Sequence, residues 1–355
     1  MAEALDLAGR GRGRVSPNPM VGAVLVKNGR VVGRGWHRRF GGPHAEVEAI
    51  AAAGRRADGA SLYVTMEPCC FHGKTPACTS AIQLAGIKRV VAATLDPNPR
   101  VNGKGMRCLR SSGIRTSVGL LAREARRLNE GYLTSLRKHR PFIILKVAAT
   151  LDGMVADTTG HSKWITGPEA RAMGHRLRLC VDAIVVGINT VVADDPRLTC
   201  RVKPAKQLVR VILDPDIATP PACRLLREPG PVLAFTASRS AARAERLWAK
   251  DVEVLRVSKG KDGLLSWPEI LAELHRRQLQ TVLIEGGATV ASSALEAGIV
   301  DKVYVFQSPK ILGPGKSFTH GLAVRGLGRA IELKRVEHRC LGSDFLTEGY
   351  VHRTD

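Results

Sequence analysis

The pattern of hydrophobic and polar positions predicts short strands that alternate with helices. In the first half it predicts a helix over 2–9 and a hairpin in which VGAVLVK and RVVGRGWH flank Asn28-Gly29. A helix after Pro43, a strand at 61–66, a helix at 76–86 and a strand at 88–94 follow. MRCLRSSG and LLAREARRLNEGYLTSLR predict further helices around a strand at 114–117. This half is therefore predicted to be a layered α/β domain.

The second half repeats the alternation after a break at Lys138-His139-Arg140-Pro141. Strands are predicted at PFIILKVAA, at 183–186, at QLVRVILD and at TVLIEGG, and helices after the second and the last of these. DKVYVFQSPK predicts another strand, and IELKRVEHRC with EGYVHR predicts a closing antiparallel pair. The alternation favours a mainly parallel sheet with helices on both faces. We therefore predict two domains, residues 1–139 and residues 141–355.

Composition is consistent with two packed domains. The chain has 355 residues, of which 44% are hydrophobic, and it contains no apolar run long enough to span a membrane. The first residues, MAEALDLAGRGRGR, lack the apolar core of a signal peptide. Eight cysteines are scattered without the spacing of a disulfide framework, so a reducing cytoplasm is expected.

The net charge of +22 is concentrated in the first half. Residues 1–140 carry 24 Lys and Arg against 9 Asp and Glu. Such a surface suits nucleic acid, phosphorylated small molecules or simple solvation. Nucleic acid is the less favoured partner, because the arginines are spread out with little aromatic interleaving.

One constellation carries recognisable chemistry: His44-Ala45-Glu46, Glu67-Pro68-Cys69 and Cys78. One imidazole and two thiolates suit a zinc ion whose fourth position is left to water. Zinc deaminases add a glutamate that is not a ligand but moves protons, which here is Glu46. The helix after Pro43 should place His44 and Glu46 in its first turn.

The second zinc helix is predicted from Thr75 as N-cap and Pro76 as its first helical residue, with Cys78 in its first turn. A structural zinc site, or buried cysteines without metal, is the alternative. Structural sites close with a fourth ligand, and Cys70 and His72 are too close to Cys69 to serve easily. Eight residues separate Cys69 from Cys78, where the general deaminase signature has two, which argues against enzymes that act on nucleic acids or free nucleosides.

Long motifs carry a resemblance to one family. They are SPNPMVGAVLVKNG, GGPHAE, TMEPCCFHGKTPAC, DPNPRVNGKG, KVAATLDGMVA, SKWITG, ADDPRLT and IEGGAT. In this order they resemble the bifunctional riboflavin-biosynthesis deaminase/reductase over nearly all of residues 1–313. The resemblance implies a cytidine-deaminase-like α/β/α domain followed by a dihydrofolate-reductase-like α/β domain.

For the first domain the resemblance implies zinc-dependent hydrolytic deamination at C2 of a diamino-hydroxy-pyrimidine that carries a phosphoribosylamino group. His44, Cys69 and Cys78 would hold zinc, and Glu46 would carry the proton. The substrate would be oriented by Asn18, His37, Lys74, Asp96 and Asn98. The two asparagines lie between prolines and are equally explained as turn residues, and Lys74 as a solvated charge. At Phe71 the family usually has histidine, and here His72 follows instead.

For the second domain the resemblance implies that NADPH reduces C1′ of the ribosyl group to give a ribityl chain. NADPH would be bound by Ala148, Trp164, Thr190, Asp194, Gly286, Gly287, Ala288 and Thr289. The substrate would meet Lys146, Asp152, Ser162, Arg178, Leu198, Arg201 and Glu285. Arginine suits a phosphate, because its guanidinium binds phosphate in a bidentate fork. The alternatives are surface charges for the two arginines, a core anchor for Trp164, a turn residue for Asp152 and a paired buried charge for Lys146.

Three hypotheses remain: a bifunctional enzyme, an enzyme that keeps one of the two activities, and an RNA-directed zinc deaminase. The resemblance also implies a homo-oligomer formed through the reductase half.

Overall fold

The computed structural model describes residues 1–202, 207–260, 263–324 and 326–351. The chain divides into two compact units, Met1–His139 and Arg140–Asp355. No helix among the described residues is both long and apolar enough to cross a lipid bilayer. All eight cysteines are free thiols.

The first unit contains five strands and six helices in its described residues. In chain order they are α1 (Ala2–Gly9), β1 (Gly22–Lys27), β2 (Arg30–Trp36), α2 (Ala45–Ala53), β3 (Ser61–Val64), α3 (Cys78–Leu84), β4 (Arg89–Ala92), α4 (Lys104–Ser111), β5 (Arg115–Val118), α5 (Ala122–Leu128) and α6 (Glu130–Lys138). The strands form one sheet in the order β2-β1-β3-β4-β5. β1 is antiparallel to β2 and β3, whereas β3, β4 and β5 are parallel.

The hairpin predicted at Asn28-Gly29 is confirmed. Both residues have left-handed φ angles, of 50° and 74°, as a two-residue hairpin turn requires. β2 carries Gly33 and Gly35 on the face that packs against α2. A Cβ at either glycine would lie 2.3 Å from a carbonyl oxygen of α2, so the absence of side chains lets the helix sit directly on the sheet. This close packing fixes the start of α2, where the zinc-site residues begin.

Two helix predictions for this unit were wrong in detail. α3 begins at Cys78 with Ala77 as its N-cap residue, not at Pro76 after Thr75, although Cys78 is in its first turn as expected. The single helix predicted over LLAREARRLNEGYLTSLR is broken at Asn129. The buried Asn129 side chain accepts from the Met20 amide at 2.7 Å and donates to the Met20 carbonyl at 2.9 Å, a tertiary contact that the local pattern does not contain.

The second unit contains eleven strands and five helices in its described residues. They are β6 (Phe142–Ala149), β7 (Met154–Asp157), α7 (Pro168–Leu179), β8 (Ala183–Gly187), α8 (Ile188–Asp194), β9 (Val209–Leu213), β10 (Val232–Thr236), α9 (Ala241–Trp248), β11 (Val252–Arg256), α10 (Trp267–Arg276), β12 (Thr281–Ile284), α11 (Ala288–Glu296), β13 (Lys302–Gln307), β14 (Gly315–Ser317), β15 (Lys334–Leu341) and β16 (Asp344–Tyr350).

Nine of these strands form one sheet, in the order β11-β10-β9-β8-β12-β6-β13-β16-β15. All neighbours from β11 to β13 are parallel, while β16 is antiparallel to both β13 and β15. The mainly parallel sheet and the closing antiparallel pair are thus confirmed. β10, β11, α9 and α10 lie in a stretch that the sequence pattern left unassigned. Hydrophobic clusters cover both faces of the sheet.

Arg140 is bound firmly at the start of this second unit. Its guanidinium donates to both carboxylate oxygens of Asp301, at 2.6 and 2.8 Å. Asp301 is fully buried and also accepts from the Ile143 amide. Directly before Arg140, α6 ends at Lys138, and His139 adopts a left-handed φ of 50°.

Candidate metal centre and cofactor cavity

The predicted zinc ligands come together at the ends of two helices in the first unit. The ligating atoms of His44, Cys69 and Cys78 all lie within 4.8 Å of one another. His44 is the N-cap residue of α2, and Cys78 is the first residue of α3. His44 Nδ1 lies 3.2 Å from the Cys78 sulfur and 3.6 Å from the Cys69 sulfur.

The protonation chemistry of this cluster fits a bound cation. The hydrogen bond from Cys78 lowers the pKa of Cys69 to about 4, and the same bond raises the pKa of the buried Cys78 thiol. The hydrogen bond to Cys69 also raises the pKa of His44. One imidazole and two thiols form a soft donor set whose members compete for protons. Zinc binds such a set by displacing those protons. No fourth Cys, His or carboxylate joins the cluster within the described chain, which fits an open catalytic position rather than a closed structural site.

Glu46 lies in the first turn of α2 and is 3% exposed. Burial is the main cause that raises its pKa, and the neighbouring His44 opposes the shift. The carboxylate interacts with the Cys78 side chain rather than with solvent. Glu46 therefore stands beside the three donors without being one of them.

Asn18 and His37 are brought to the same centre. The buried His37 ring donates from Nδ1 to the Pro43 carbonyl at 2.9 Å and accepts from Asn18 Nδ2 at 3.1 Å. Its ring meets that of His44 edge-on, with centroids 5.3 Å apart. Asn18 is thus more than a turn residue, because its side chain contacts a histidine next to a predicted ligand.

Asp96 and Asn98 lie in the loop after β4, which is held by the side chains of Glu67 and Tyr132. Asp96 is buried, receives the Asn98 amide at 2.9 Å and receives the Tyr132 hydroxyl at 2.8 Å. The buried Glu67 accepts three backbone amides of the loop and of α4, those of Asp96, Gly103 and Met106. Glu67 precedes Cys69 by two residues, so one short segment fixes both a metal ligand and the loop. The motif TMEPCC contained a signal for Glu67, whereas nothing local marked Tyr132.

Lys74 lies in the loop between the two cysteine ligands. Its ammonium group sits over the Phe40 ring, 3.9 Å from the centroid, and it has no hydrogen bond to the predicted ligands. Phe71 is partly buried, and His72 after it is exposed. Among the described residues, the cluster of candidate ligand atoms does not include His72.

In the second unit, Lys146, Arg178 and Glu285 form one charged cluster. Arg178 donates to the two carboxylate oxygens of Glu285 at 2.9 and 2.8 Å, and to the Thr199 carbonyl at 2.9 Å. Burial alone would raise the pKa of Glu285, but the charges of Arg178 and Lys146 bring it down to about 2. Burial lowers the pKa of Lys146, and the charge of Glu285 opposes that shift.

The substrate contact expected of Arg178 stays a prediction. Its guanidinium forms a bidentate pair with Glu285, whose carboxylate would cost several kcal/mol to bury without a cation. Arg178 is not a surface charge, since its side chain is 15% exposed. The charge of Glu285 acts on Lys146, and the alternative that Lys146 is a paired buried charge stays a prediction.

A cavity lies where α8 and α11 begin. It is lined by Gly187, Ile188, Asn189, Thr190, Leu213, Pro215, Leu264, Leu265, Trp267, Gly287, Ala288, Thr289, Val290, Ser293 and Lys316. Thr190, Gly287, Ala288 and Thr289 are among the residues predicted at NADPH. The Gly287 amide donates to Thr190 Oγ1 at 3.1 Å.

The glycine pair before α11 serves two purposes. A Cβ at Gly286 would meet the Val290 side chain at 2.8 Å, so this glycine is needed for close packing. Gly287 is exposed at the cavity wall, where a Cβ would occupy space beside Thr190. Backbone amides at the start of a helix suit the phosphates of a dinucleotide, so the residues present fit NADPH.

The other predicted residues of this unit do not line that cavity. Ser162 donates to Asp194 at 3.2 Å, and Asp152 accepts the amides of Leu312 and Gly313. Trp164 is 66% exposed and so is not a core anchor. Of the remainder, Arg201 is exposed, Leu198 is buried and Ala148 is partly buried.

Comparisons with known proteins identify the family. A family model described as the RibD C-terminal domain matches residues 141–347, more than half of the chain. A model described as the cytidine and deoxycytidylate deaminase zinc-binding region matches residues 1–94. The riboflavin biosynthesis protein RibD of Aquifex aeolicus is 45% identical over 348 residues, which are 98% of this chain and 96% of that protein. The chain belongs to the RibD family.

Solved structures of RibD proteins agree over the whole chain. RibD of Acinetobacter baumannii superposes with a TM-score of 0.90 at 35% identity, covering 98% of this chain and 97% of that one. A Thermotoga maritima protein superposes with a TM-score of 0.87 at 40% identity, covering 99% of this chain and 97% of that one. That protein is described as a diaminohydroxyphosphoribosylaminopyrimidine deaminase/5-amino-6-(5-phosphoribosylamino)uracil reductase. The RibD assignment confirms the predicted fold class, the bifunctional deaminase and reductase, and the use of zinc and NADPH.

Proposed function

We propose that this RibD protein removes the C2 amino group of 2,5-diamino-6-(5-phosphoribosylamino)pyrimidin-4-one, and then reduces the ribosyl group of the resulting aminouracil to ribityl with NADPH. The observation that carries the first step is the His44, Cys69 and Cys78 cluster with the buried Glu46 beside it. The activities named for the Thermotoga maritima protein support the choice of substrate.

In the deaminase unit, His44, Cys69 and Cys78 would hold the zinc ion. Zinc, when bound, supplies a water whose pKa is lowered to about 7. Glu46 would be the group that holds the proton and delivers it to the ring and to the departing ammonia. The substrate is oriented by Asn18, His37, Lys74, Asp96 and Asn98.

In the reductase unit, NADPH supplies the hydride, and the chain's own residues bind and orient both molecules. Thr190, Gly287, Ala288 and Thr289 bind the cofactor from the cavity wall, assisted by Ala148, Trp164, Asp194 and Gly286. The substrate meets Asp152, Ser162, Leu198 and Arg201. Lys146 lies beside the reacting carbon with Glu285, which Arg178 holds in place. The oxygen that leaves C1′ must gain a proton when the ribose opens, and the ammonium group of Lys146 is suited to stabilise it.

The zinc-loaded protein should release ammonia from the diamino substrate without NADPH. NADPH added afterwards should then be oxidised, because its substrate is the deaminated product. Ammonia can be followed by a coupled assay and NADPH by its absorbance. Ammonia without NADPH oxidation would leave a single working activity. No ammonia from zinc-loaded protein would contradict the proposed substrate.

We further propose that the protein forms a homo-oligomer through the reductase unit. The last strand pair exposes apolar side chains, with Val336 41% and Phe345 52% exposed, in support of a partner on that surface. Light scattering should give a mass that is a multiple of 38.2 kDa, and a monomer at micromolar concentration would refute this proposal.

A cytoplasmic location is proposed on the basis of the eight free thiols. Fractionation of the native host should recover the protein with cytoplasmic markers. Recovery in a membrane or secreted fraction would exclude this location.

A further inference from the structure

Arg100 joins two loops beside the metal centre. It lies in the loop that carries Asp96 and Asn98, and its guanidinium sits over the ring of Phe71, 3.7 Å from the centroid. Phe71 follows the ligand Cys69 by two residues. The contact therefore connects the loop between the two cysteine ligands with the loop after β4.

The backbone of Arg100 is held on both sides. Its amide donates to the Asn98 side chain at 3.0 Å. Its carbonyl accepts from the Cys70 thiol at 3.7 Å. The backbone of Arg100 is thus fixed by hydrogen bonds and its side chain by stacking. Less conformational entropy is therefore lost when the guanidinium binds a ligand.

The guanidinium itself is available. It forms no ion pair and no hydrogen bond with any residue in the part of the chain that the structure describes, and Arg100 is exposed. Stacking on a ring engages the flat face of the guanidinium and leaves its in-plane N–H donors free. The nearest acidic side chain along the loop, Asp96, is buried and engaged by Tyr132. An arginine held in this way is suited to a bidentate bond with an external oxyanion.

The substrate of the proposed function carries such an anion. Its reacting ring carbon must approach the metal centre, so its 5-phosphate, at the far end of the ribose, points away from the metal toward the rim of the site. Arg100 and Lys74 are exposed cations in the two loops beside the metal centre, and each is placed over a phenylalanine ring. Phe71 stands where the family usually has histidine, so its pairing with Arg100 is a feature of this chain's own sequence.

We propose that Arg100, supported by the ring of Phe71, binds the substrate phosphate and makes the deaminase selective for the phosphorylated substrate. This inference deepens the proposed function and depends on it for the identity of the substrate. The general chemistry, an oxyanion held by a stacked guanidinium, does not depend on the pyrimidine.

The test compares Arg100→Leu with the parent enzyme, both zinc-loaded, on the phosphorylated substrate and on the same compound without its phosphate. A charge-assisted bond at an exposed site predicts a rise of about tenfold in KM for the phosphorylated substrate, with kcat within about twofold. The unphosphorylated compound should show the same kcat/KM with both proteins. Arg100→Lys should recover part of the loss, because it restores the charge but not the fork.

Arg55→Leu is the matched control. Arg55 is an exposed arginine in the short turn after α2, so its removal lowers the net charge of the same unit equally. KM should not change in this variant. Phe71→Leu should raise KM by about twofold to threefold, because Arg100 then loses the ring that orients it.

If Arg100→Leu lowered kcat/KM equally on both compounds, Arg100 would have a merely structural role and the inference would be overturned. An unchanged kcat/KM on both compounds would also overturn it. A separate measurement keeps the inference distinct from the proposed function. Ribose 5-phosphate, titrated calorimetrically into zinc-loaded protein, should bind more weakly to Arg100→Leu than to the parent and to Arg55→Leu. If the parent released no ammonia, the proposed substrate would be wrong, and this titration would still decide whether Arg100 binds phosphate.

Discussion

Replacing Glu46 by glutamine should lower the rate of ammonia release by about 10²- to 10⁴-fold, the usual contribution of a positioned general acid–base group. Glutamine has nearly the same shape as glutamate but neither accepts nor delivers the proton that hydrolysis requires. The site is buried, so bulk water cannot take over the transfer easily. Reduction of supplied aminouracil by NADPH should proceed at the parent rate, because Glu46 lies in the other unit. Both rates are measured on the same full-length protein.

Two controls separate proton transfer by Glu46 from other causes of a lower rate: the zinc content of the variant, and a substitution at a neighbouring glutamate. Since Glu46 is not one of the three donors, Glu46→Gln should bind the same amount of zinc as the parent, as measured by atomic emission. Glu48, two residues further along α2, pairs with Arg38 at the surface, so Glu48→Gln should deaminate normally. Loss of zinc from Glu46→Gln, or a near-normal rate with zinc bound, would exclude Glu46 as the proton carrier.

Replacing Lys146 by methionine should lower the kcat of NADPH oxidation by about 10²-fold or more while deamination continues. In the proposed mechanism Lys146 lies beside the oxygen that must be protonated when the ribose opens, and the substitution removes that cation. The fold should tolerate it, because Glu285 keeps its bidentate bond to Arg178. In the parent enzyme the rate should fall as pH rises through the pKa of Lys146, since only the protonated amine serves. Burial lowers that pKa, so the fall should come at a lower pH than for an exposed lysine.

Lys302 offers a matched control for the loss of a buried lysine. It lies on β13, next to β6, and pairs with Glu348 at 3.4 Å, where both side chains are 4% exposed. Lys302→Met should lower the free energy of unfolding, because the buried Glu348 loses the cation of Lys302. Its kcat should be unchanged. An equal fall of kcat in both variants would mean that Lys146 acts only through stability.

The sequence predicted most where the chemistry and the local structure share a few consecutive residues. The asparagine–glycine turn specified the hairpin, because only residues that tolerate left-handed φ angles fit there. His44, Glu46, Cys69 and Cys78 were recognisable as a zinc site from residue type and order, and the structure brings the three ligands together. The strand–helix alternation likewise predicted a mainly parallel sheet, because burial on both faces produces continuous apolar strands.

Prediction was weaker wherever a side chain has its partner far away in the chain. Asn129 breaks a helix to bond Met20, and Tyr132 reaches Asp96, contacts that no local pattern contains. Arg178 also pairs with Glu285, 107 residues away, a contact that the sequence did not predict.

The sequence by itself thus determined the fold class, most of the strand–helix alternation and the candidate zinc donors, all of which depend on residue type and short-range spacing. Only the tertiary structure decided which charges are paired and which remain available. Glu285 engages Arg178, whereas the guanidinium of Arg100 is stacked on Phe71 and forms no ion pair or hydrogen bond with the described residues. The physical reason is that an ion pair or a stacked cation depends on distances across the folded chain, and these are set by packing rather than by neighbours in sequence.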